Sequence, residues 1–318
     1  MEEKICYFNG EYIKESEAKI SIADYAIMEG GVYDIGRTFN HLPLKLETHI
    51  DRLFSSLRCL PFIRFELTPK DVREVTLEVL KRNEGFLDSE DDCRYILRVS
   101  RGMPFGLAGG KTSAKPHGGT FYVHTSPLAP FDGGYQEIAK WYTQGAHMVV
   151  ASTRQIPPQC LDPKIKHSNR LCNSLAEFEA KMVDPEAFPL MLDIYGFATE
   201  SARQSFLMVK DGKLLTSRLT NSLGSITRAT VLELAKELEI ECIETDLCVY
   251  DLYNADEIMI TATSFCIIPV SKFNDRLCNG PIPGPITEQL MSAFKKSVRC
   301  DFVQQILNRV QARTNATG

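Results

Sequence analysis

Apolar positions along the chain follow two spacings, a period of about 3.6 typical of amphipathic helices and a period of 2 typical of half-buried strands. Near the start, a β-hairpin is predicted around the turn dipeptide Asn9-Gly10. Helices are predicted over 48–60 and over 69–82, the latter with Thr68 as its N-cap. The first part of the chain therefore combines short strands with two helices.

The second part of the chain alternates strands with helices. Asp211-Gly212 predicts another hairpin, and residues 257–270 predict one long apolar strand. Residues 285–298 predict the last well-formed helix. This order predicts a mixed α/β (α+β) chain.

A helix is also predicted over 168–182, because large apolar residues recur there at spacings of 4, 3 and 4. These residues are Leu171, Leu175, Phe178 and Met182. Such a stripe predicts one buried helix face.

One segment, 126–136, is rich in Pro, Gly and Asp and predicts an interdomain linker. The predicted domains are a small α/β domain over 1–125 and a larger domain over 137–318. Two domains also fit a chain of 318 residues.

Composition narrows the function classes. A net charge of −5 gives no reason to expect a nucleic acid or an anionic membrane as a partner, and no signal peptide or membrane-spanning run is visible. Ten scattered cysteines without a C-x-x-C pair favour reduced thiols and a cytoplasmic location. No metal site is expected, and "LAGGKTS" is no P-loop because Phe105 replaces its first glycine.

Two lysines, Lys164 and Lys166, precede the helix predicted over 168–182. Most lysines are solvated surface charges, although a buried lysine can perform covalent chemistry. The local sequence does not choose between these alternatives for either residue.

Two charged side chains are candidates for a ligand site. Glu200 lies between two apolar segments, where a buried carboxylate would need a cationic or protonated partner. Arg52 lies on the polar side of the helix predicted over 48–60 and could bind a phosphate with its fork of donors. For each of them, an ordinary surface charge is the alternative.

Two small-residue turns suggest an anion site. Residues 223–227, "LGSIT", open directly onto a helix, where backbone N–H groups can bind phosphate, although Ser225 or Thr227 could simply cap that helix. Thr261, Thr263 and Ser264 provide hydroxyls after an apolar strand, or belong to an ordinary strand.

Taken in order, these motifs resemble the fold-type IV pyridoxal-phosphate enzymes, the class IV aminotransferases. The resemblance runs from about 7 to 293. Its most specific parts are "HIDRLFSS", "IKHSNRLCNSLAEFEA", "ATESARQSFLMVKDG", "LGSITRATVLELA", "ADEIMITATSFCIIPV" and "GPITEQL". The resemblance implies a two-domain fold whose larger domain contains a pseudo-barrel of mixed strands.

The resemblance also implies a role for each candidate residue. Lys166 would form the Schiff base with pyridoxal 5'-phosphate and then move the substrate proton, while Lys164 would be solvated. Glu200 would pair with the pyridine nitrogen, so that the ring acts as an electron sink. Leu223 would pack on the ring. The phosphate would be bound by Arg52, Ile226, Thr227 and Thr263, and the substrate by Tyr33, Arg37, Arg98 and Ser264.

The implied reaction is ping-pong transamination between an amino acid or primary amine and a 2-oxo acid. The resemblance further implies a homodimer, whose active site lies between the domains and takes in a loop from the second subunit. Alternatives are an aminodeoxychorismate lyase of the same fold and a cofactor-free relative.

The substrate branch is left open by conflicting signals. Arg37 and Arg98 fall where branched-chain enzymes have pocket arginines, whereas "IKHSNRLCN" is closer to the D-amino-acid and lyase branches. Leu171 replaces a tyrosine common in branched-chain enzymes, Ser205 replaces an asparagine, and Ser225 replaces a glycine. Arg203 also adds bulk and charge where small residues are usual.

Overall fold

The computed structural model describes residues 3–87, 91–103, 118–129 and 134–317. The chain forms two compact units. The first consists of Met1–Leu128 with Ile165–Asn169, and the second of Ala129–Lys164 with Arg170–Gly318. The glycine-rich stretch tested as a P-loop and the centre of the predicted linker lie outside the described residues.

Among its described residues, the first unit contains a six-stranded antiparallel sheet and two α-helices. Its elements are β1 (Ile5–Phe8), β2 (Glu11–Lys14), β3 (Val32–Phe39), β4 (Leu42–Pro43), α1 (Leu46–Arg58), α2 (Pro69–Asn83), β5 (Cys93–Ser100) and β6 (Thr120–Pro127). The strand order is β2-β1-β6-β5-β3-β4. The strand β3 pairs with β5 and packs against α1. Alternate side chains of β3 therefore point toward α1 and toward the opposite face of the sheet.

Local sequence accounts for these elements. Asn9 and Gly10 have φ of 50° and 105°, as a two-residue hairpin turn requires, so the predicted hairpin is confirmed. Ile50 and Leu53 are buried on α1, as their spacing predicts. Thr68 caps α2 in a reciprocal capping box with Asp71.

The second unit contains a nine-stranded mixed sheet and six helices among its described residues. The first part comprises α3 (Gly134–Gln144), β7 (Ala146–Val150), α4 (Leu171–Val183), β8 (Phe188–Leu192), β9 (Ala198–Ser201), β10 (Ser205–Lys210), β11 (Lys213–Ser217) and α5 (Ile226–Glu237). The second part comprises β12 (Cys242–Thr245), α6 (Val249–Tyr253), β13 (Glu257–Ala262), β14 (Cys266–Phe273), β15 (Arg276–Leu277), α7 (Pro285–Val298) and α8 (Phe302–Thr317).

This larger sheet curls into the half-barrel expected of the fold. Its strand order is β12-β11-β10-β13-β14-β7-β8-β9, with β15 paired to β14. The pairs β11–β12, β14–β7 and β7–β8 are parallel. The Ser217 hydroxyl on β11 donates to the Thr199 carbonyl on β9, so these two distant strands of the order meet again. The curl brings Glu200 on β9 into the buried interior.

Three predictions of elements were wrong. Residues 257–270 form two antiparallel strands rather than one, because the chain turns at 263–265 without a glycine or proline to mark the turn. A helix, α8, follows the one predicted to be last. The helix predicted from residue 168 begins at Leu171, since the preceding residues pair with the first unit instead.

The predicted buried face of α4 is also wrong. Leu171, Leu175, Phe178 and Met182 are 70%, 50%, 64% and 75% exposed. Ala176 and Ala180 face the sheet instead, where their small side chains allow close packing of α4 on β8. The helix is amphipathic, but its large apolar residues point away from the core of its own unit.

Candidate active site

Lys166 belongs to the first unit, because its backbone is bonded there on both sides. Its N–H donates to the Ser56 hydroxyl on α1 at 3.1 Å, and its carbonyl accepts from the Tyr33 N–H on β3 at 3.0 Å. His167 forms a bridge with Val32. The lysine therefore lies on an extended segment anchored to a strand and a helix, although the sequence placed it in the C-terminal domain.

The Lys166 side chain lies over an aromatic ring. Its Nζ is 4.6 Å from the centroid of the Tyr33 ring, and the guanidinium carbon of Arg98 is 5.4 Å from the same centroid. Tyr33 and Arg98 are paired across β3 and β5. Three predicted site residues thus meet at one ring, whereas Lys164 is exposed and pairs with Asp162, as expected of a solvated lysine.

The two predicted pocket arginines differ in environment. Arg37 is 2% exposed, its Nε donates to the Thr38 carbonyl, and its guanidinium lies 3.9 Å from the Phe39 ring centroid. Arg98 is half-buried and forms no ion pair within the part of the chain that the structure describes. Arg98 is therefore the better placed of the two to bind a substrate carboxylate.

Arg52 is 13% exposed at its side chain and lies against a buried carboxylate. Its Nε and Nη2 donate to the two oxygens of Asp34 on β3, each at 2.8 Å. Burial alone would raise the pKa of Asp34, but the charge of Arg52 and the hydrogen bonds hold that pKa well below its usual range. His49, one turn earlier on α1, contacts the same carboxylate at 2.7 Å.

The second unit contributes a buried carboxylate, Glu200, which is 5% exposed on β9. The Gln155 side-chain amide donates to Glu200 Oε1 at 3.3 Å. Glu200 is therefore not the surface turn acid that was the alternative. A carboxylate buried at this position can pair with a protonated ring nitrogen.

The start of α5 has the geometry of an anion site. Ser225 caps the helix by accepting from the Arg228 N–H at 3.2 Å, while Ile226 and Thr227 occupy the first two helical positions. The N–H groups at these positions have no acceptor within the helix. No atom of the described residues lies within 4 Å of a Cβ built on Gly224, so they leave the approach to this end of α5 open on that side.

The turn between β13 and β14 carries the remaining candidates. Thr263 and Ser264 lie in that turn, with Ser264 8% exposed. The Tyr142 hydroxyl donates to the Phe265 carbonyl at 2.5 Å and fixes the turn. Thr263 therefore belongs to a turn rather than to a continuous strand.

The residues present fit a phosphate-bearing pyridine cofactor. The hydroxyls of Ser201, next to Glu200, and Thr261, two residues before Thr263, are buried and have no partner among the described residues. A bound ligand would satisfy such hydroxyls, which are costly to leave unpaired. In the first unit, Lys166 supplies an amine and Arg52 a guanidinium. In the second unit, Glu200 supplies a buried carboxylate and the start of α5 supplies N–H groups that can bind an anion.

Sequence reasoning missed three residues of β3 and α1 that surround Arg52 or Lys166. They are Asp34, His49 and Ser56. Asp34 lies inside the apolar strand β3, and a carboxylate at such a position signals a buried partner. His49 and Ser56 are three residues before and four after Arg52, so all three lie on one face of α1. Gln155 was also missed, and no sequence signal marks it.

Comparison with known proteins places the chain in a family. The family described as Amino-transferase class IV matches residues 31–273. A Methanocaldococcus jannaschii relative, provisionally named a branched-chain-amino-acid aminotransferase, is 34% identical over 293 residues, covering 91% of this chain and 94% of its own. The D-alanine aminotransferase of Bacillus licheniformis is 27% identical over 305 residues, covering 94% and 99% of the two chains.

Solved structures show the same fold. The branched-chain amino acid aminotransferase of Escherichia coli has a TM-score of 0.78 at 24% identity, covering 92% of this chain and 93% of its own. The chain belongs to the class IV aminotransferases, pyridoxal-phosphate-dependent enzymes of fold type IV. The predicted family, enzyme class and cofactor are thereby confirmed, and the cofactor-free alternative is not favoured.

Among the described residues, no helix is long and apolar enough to cross a membrane, and no cluster of acidic, histidine or cysteine side chains could hold a metal ion.

Proposed function

We propose that this enzyme transfers the amino group of an amino acid to a 2-oxo acid in two half-reactions, with Lys166 as the covalent and proton-transferring residue. The observation that carries the proposal is the convergence of Lys166 and Arg98 on the Tyr33 ring. An amine nucleophile and a carboxylate-binding guanidinium at one ring are what an amino-acid substrate requires.

Each residue of the chain then has a defined task. Pyridoxal 5'-phosphate, when bound, supplies an aldehyde that bonds to amines and a ring that withdraws electrons. Lys166 would hold this group through its Nζ, and its amine, when free, would take the proton from the substrate Cα. Glu200 would keep a ring nitrogen protonated, and Leu223 would pack against the ring.

Four residues are proposed as partners of the phosphate group. Arg52 supplies a guanidinium, Ile226 and Thr227 supply backbone N–H groups at the start of α5, and Thr263 supplies a hydroxyl. Helix N-termini and arginines are the usual phosphate partners in proteins.

The substrate is proposed to carry a carboxylate bound by Arg98, with Tyr33 and Ser264 beside it. Arg37 was predicted for the same pocket, but its buried contacts with Thr38 and Phe39 favour a structural role. The relatives of this chain include both branched-chain and D-amino-acid enzymes, so the substrate class is proposed as branched-chain or D-amino acids.

A half-reaction screen tests the proposal. Holoenzyme is mixed with single L-amino acids, D-amino acids and (R)-amines, and the loss of the bound cofactor's visible absorbance is followed. We expect amino acids to react and amines without a carboxylate to react poorly. Lys166→Ala should abolish both the reaction and covalent attachment after borohydride reduction, while Lys164→Ala should behave as wild type. Wild-type turnover by Lys166→Ala would contradict the assignment.

We also propose that two copies associate through the exposed face of α4. Leu171, Leu175, Phe178, Met182 and Val183 are each at least half exposed. They lie on one helix and form a contiguous exposed apolar patch, and such patches often mark interaction sites between proteins. Apolar stripes of this kind are self-complementary across a two-fold axis.

The dimer has a direct test. Leu175→Glu combined with Phe178→Glu should lower the mass measured by light scattering from that of a dimer toward that of a monomer. The matched control is Leu277→Glu, which changes a residue 77% exposed on β15 and should leave the mass unchanged. An unchanged mass in the α4 variant would refute this interface.

The proposed location is the cytoplasm. All ten cysteines are free thiols in the structure, which suits a reducing compartment.

A further inference from the structure

The carboxylate of Asp34 is bound by donors from three directions. Oδ1 accepts from His49 Nδ1 at 2.7 Å, from Arg52 Nη2 at 2.8 Å and from the Ile35 N–H at 2.8 Å, while Oδ2 accepts from Arg52 Nε at 2.8 Å. Asp34 is 1% exposed. A carboxylate with this many short bonds has one orientation.

The fixed carboxylate of Asp34 in turn fixes the orientation of the Arg52 side chain. Two parallel bonds from Nε and Nη2 fix the plane of the guanidinium as well as its position. The side chain lies at the edge of the buried region, 13% exposed, whereas its partner carboxylate is inside. Asp34 also cancels much of the guanidinium charge, so what the pair contributes to anion binding is geometry rather than net charge.

His49 completes the arrangement from one turn earlier on α1. It is 3% exposed, and burial lowers its pKa despite the opposing effect of Asp34. The imidazole therefore stays neutral and donates from Nδ1. The Tyr95 ring packs edge-on against it at 6.0 Å between centroids, which restricts its rotation.

We propose that Asp34 and His49 are positioning residues that hold the Arg52 guanidinium ready for the phosphate group of the cofactor. The inference rests on the proposed role of Arg52. A free arginine side chain loses rotamer freedom when it binds, and an arginine held in place beforehand avoids that loss. Removing the His49 donor loosens Asp34 and, through it, Arg52.

The test compares two ligands that differ only in the phosphate. Dissociation constants of pyridoxal 5'-phosphate and of pyridoxal are measured on apoenzyme by absorbance titration. The pyridoxal constant divided by the pyridoxal 5'-phosphate constant gives a ratio that isolates the phosphate contribution. His49→Phe keeps an aromatic ring but removes the donor. We expect it to weaken phosphate-ester binding on the order of tenfold and to leave pyridoxal binding nearly unchanged.

A matched variant provides the rescue. His49→Asn places an amide N–H near the position of Nδ1 and should restore most of the ratio. Arg52→Gln should lower the ratio at least as far as His49→Phe does, and the double variant should lower it no further than Arg52→Gln alone. If His49→Phe does not fold, the same two dissociation constants are measured on Asp34→Asn instead.

The outcomes distinguish the positioning role of Asp34 and His49 from the phosphate-binding role of Arg52. If Arg52→Gln lowers the ratio but His49→Phe and Asp34→Asn only lower the melting temperature, the two residues are merely structural and the inference is wrong. If Arg52→Gln leaves the ratio unchanged, the assignment of Arg52 to the phosphate fails as well.

Discussion

Individual residues of α1 show how the fold accommodates charge in its interior. His49, Arg52 and Ser56 lie on one face of the helix, and each is bonded to the strand β3 or to the segment of Lys166. Burying a charge is costly unless it is paired and hydrogen-bonded, and both conditions are met for Asp34 and Arg52. Replacing Asp34 or Arg52 alone should therefore lower the free energy of unfolding by more than the intact pair contributes to it, because the other charge would be left buried without a partner.

The neutral state of His49 predicts acid-sensitive stability. The unfolded chain takes up a proton at this residue below its ordinary pKa of 6.5, whereas the folded state, with its lowered pKa, does not. Stability should therefore fall as pH drops below 6.5, by up to about 1.4 kcal/mol per pH unit. His49→Asn, which does not titrate, should flatten the curve from pH 6.5 to 5 in urea unfolding. Parallel curves for the two proteins would contradict a neutral His49.

Gly36 predicts a steric effect. A Cβ on this residue would lie 2.0 Å from Cζ and 2.1 Å from the hydroxyl oxygen of Tyr95, whose ring is fully buried. Gly36→Ala should cost about 3 kcal/mol, because the ring must move within a packed core. Gly85→Ala, where a Cβ would meet nothing within 4 Å, is the matched control and should be close to neutral in the same unfolding assay.

At the scale of elements, periodicity identified most helices and strands but not their surroundings. The apolar stripe of α4 predicted its amphipathic character correctly, yet periodicity does not say what covers a face. The β13–β14 turn escaped prediction because its residues, Thr263 to Phe265, include no Gly, Pro, Asn or Asp to interrupt the apolar pattern. The Asp34–Arg52 pair joins residues 18 positions apart on different elements, and only the fold brings them together. Family motifs, by contrast, singled out Lys166 and Glu200 as candidates from sequence, and the structure shows that Glu200 is buried.

The attachment of α5 to the curled sheet depends on one buried arginine. Arg228 is 3% exposed, with Nε donating to the Thr216 hydroxyl and Nη2 to the Ser217 carbonyl. Arg228→Met should destabilise the protein by about 3 kcal/mol, since it leaves these groups without a buried partner. Glu244, its 44%-exposed ion-pair partner, provides the control.

Glu244→Gln should change stability by less than about 1 kcal/mol, because solvent weakens a half-exposed pair. Chemical denaturation measures both variants. Equal losses would mean that the ion pair, rather than the buried hydrogen bonds, anchors the helix.

Across the whole molecule, burial divides the ten thiols into three groups. The exposed ones are Cys59, Cys160 and Cys242, the buried ones are Cys6, Cys93 and Cys266, and the half-buried ones are Cys172, Cys248, Cys278 and Cys300. Burial raises the pKa of Cys93 to about 11, so that its reactive thiolate is scarce at neutral pH. A thiol reagent should label Cys59 and Cys160 within minutes and the buried group only on unfolding, as mapped by peptide mass. Early labelling of Cys93 would show that the first unit opens readily.

The segment Ile165–Asn169 has a consequence for the order in which the protein is made. The first unit includes these five residues, although 36 residues of the second unit, Ala129–Lys164, precede them in the chain. A ribosome must therefore synthesise part of the second unit before the first can be completed. A fragment that ends at residue 128 would lack the segment that bonds to Gly31, Tyr33 and Ser56. Lys166, the proposed covalent residue, is thus in the last segment to be added to its own unit.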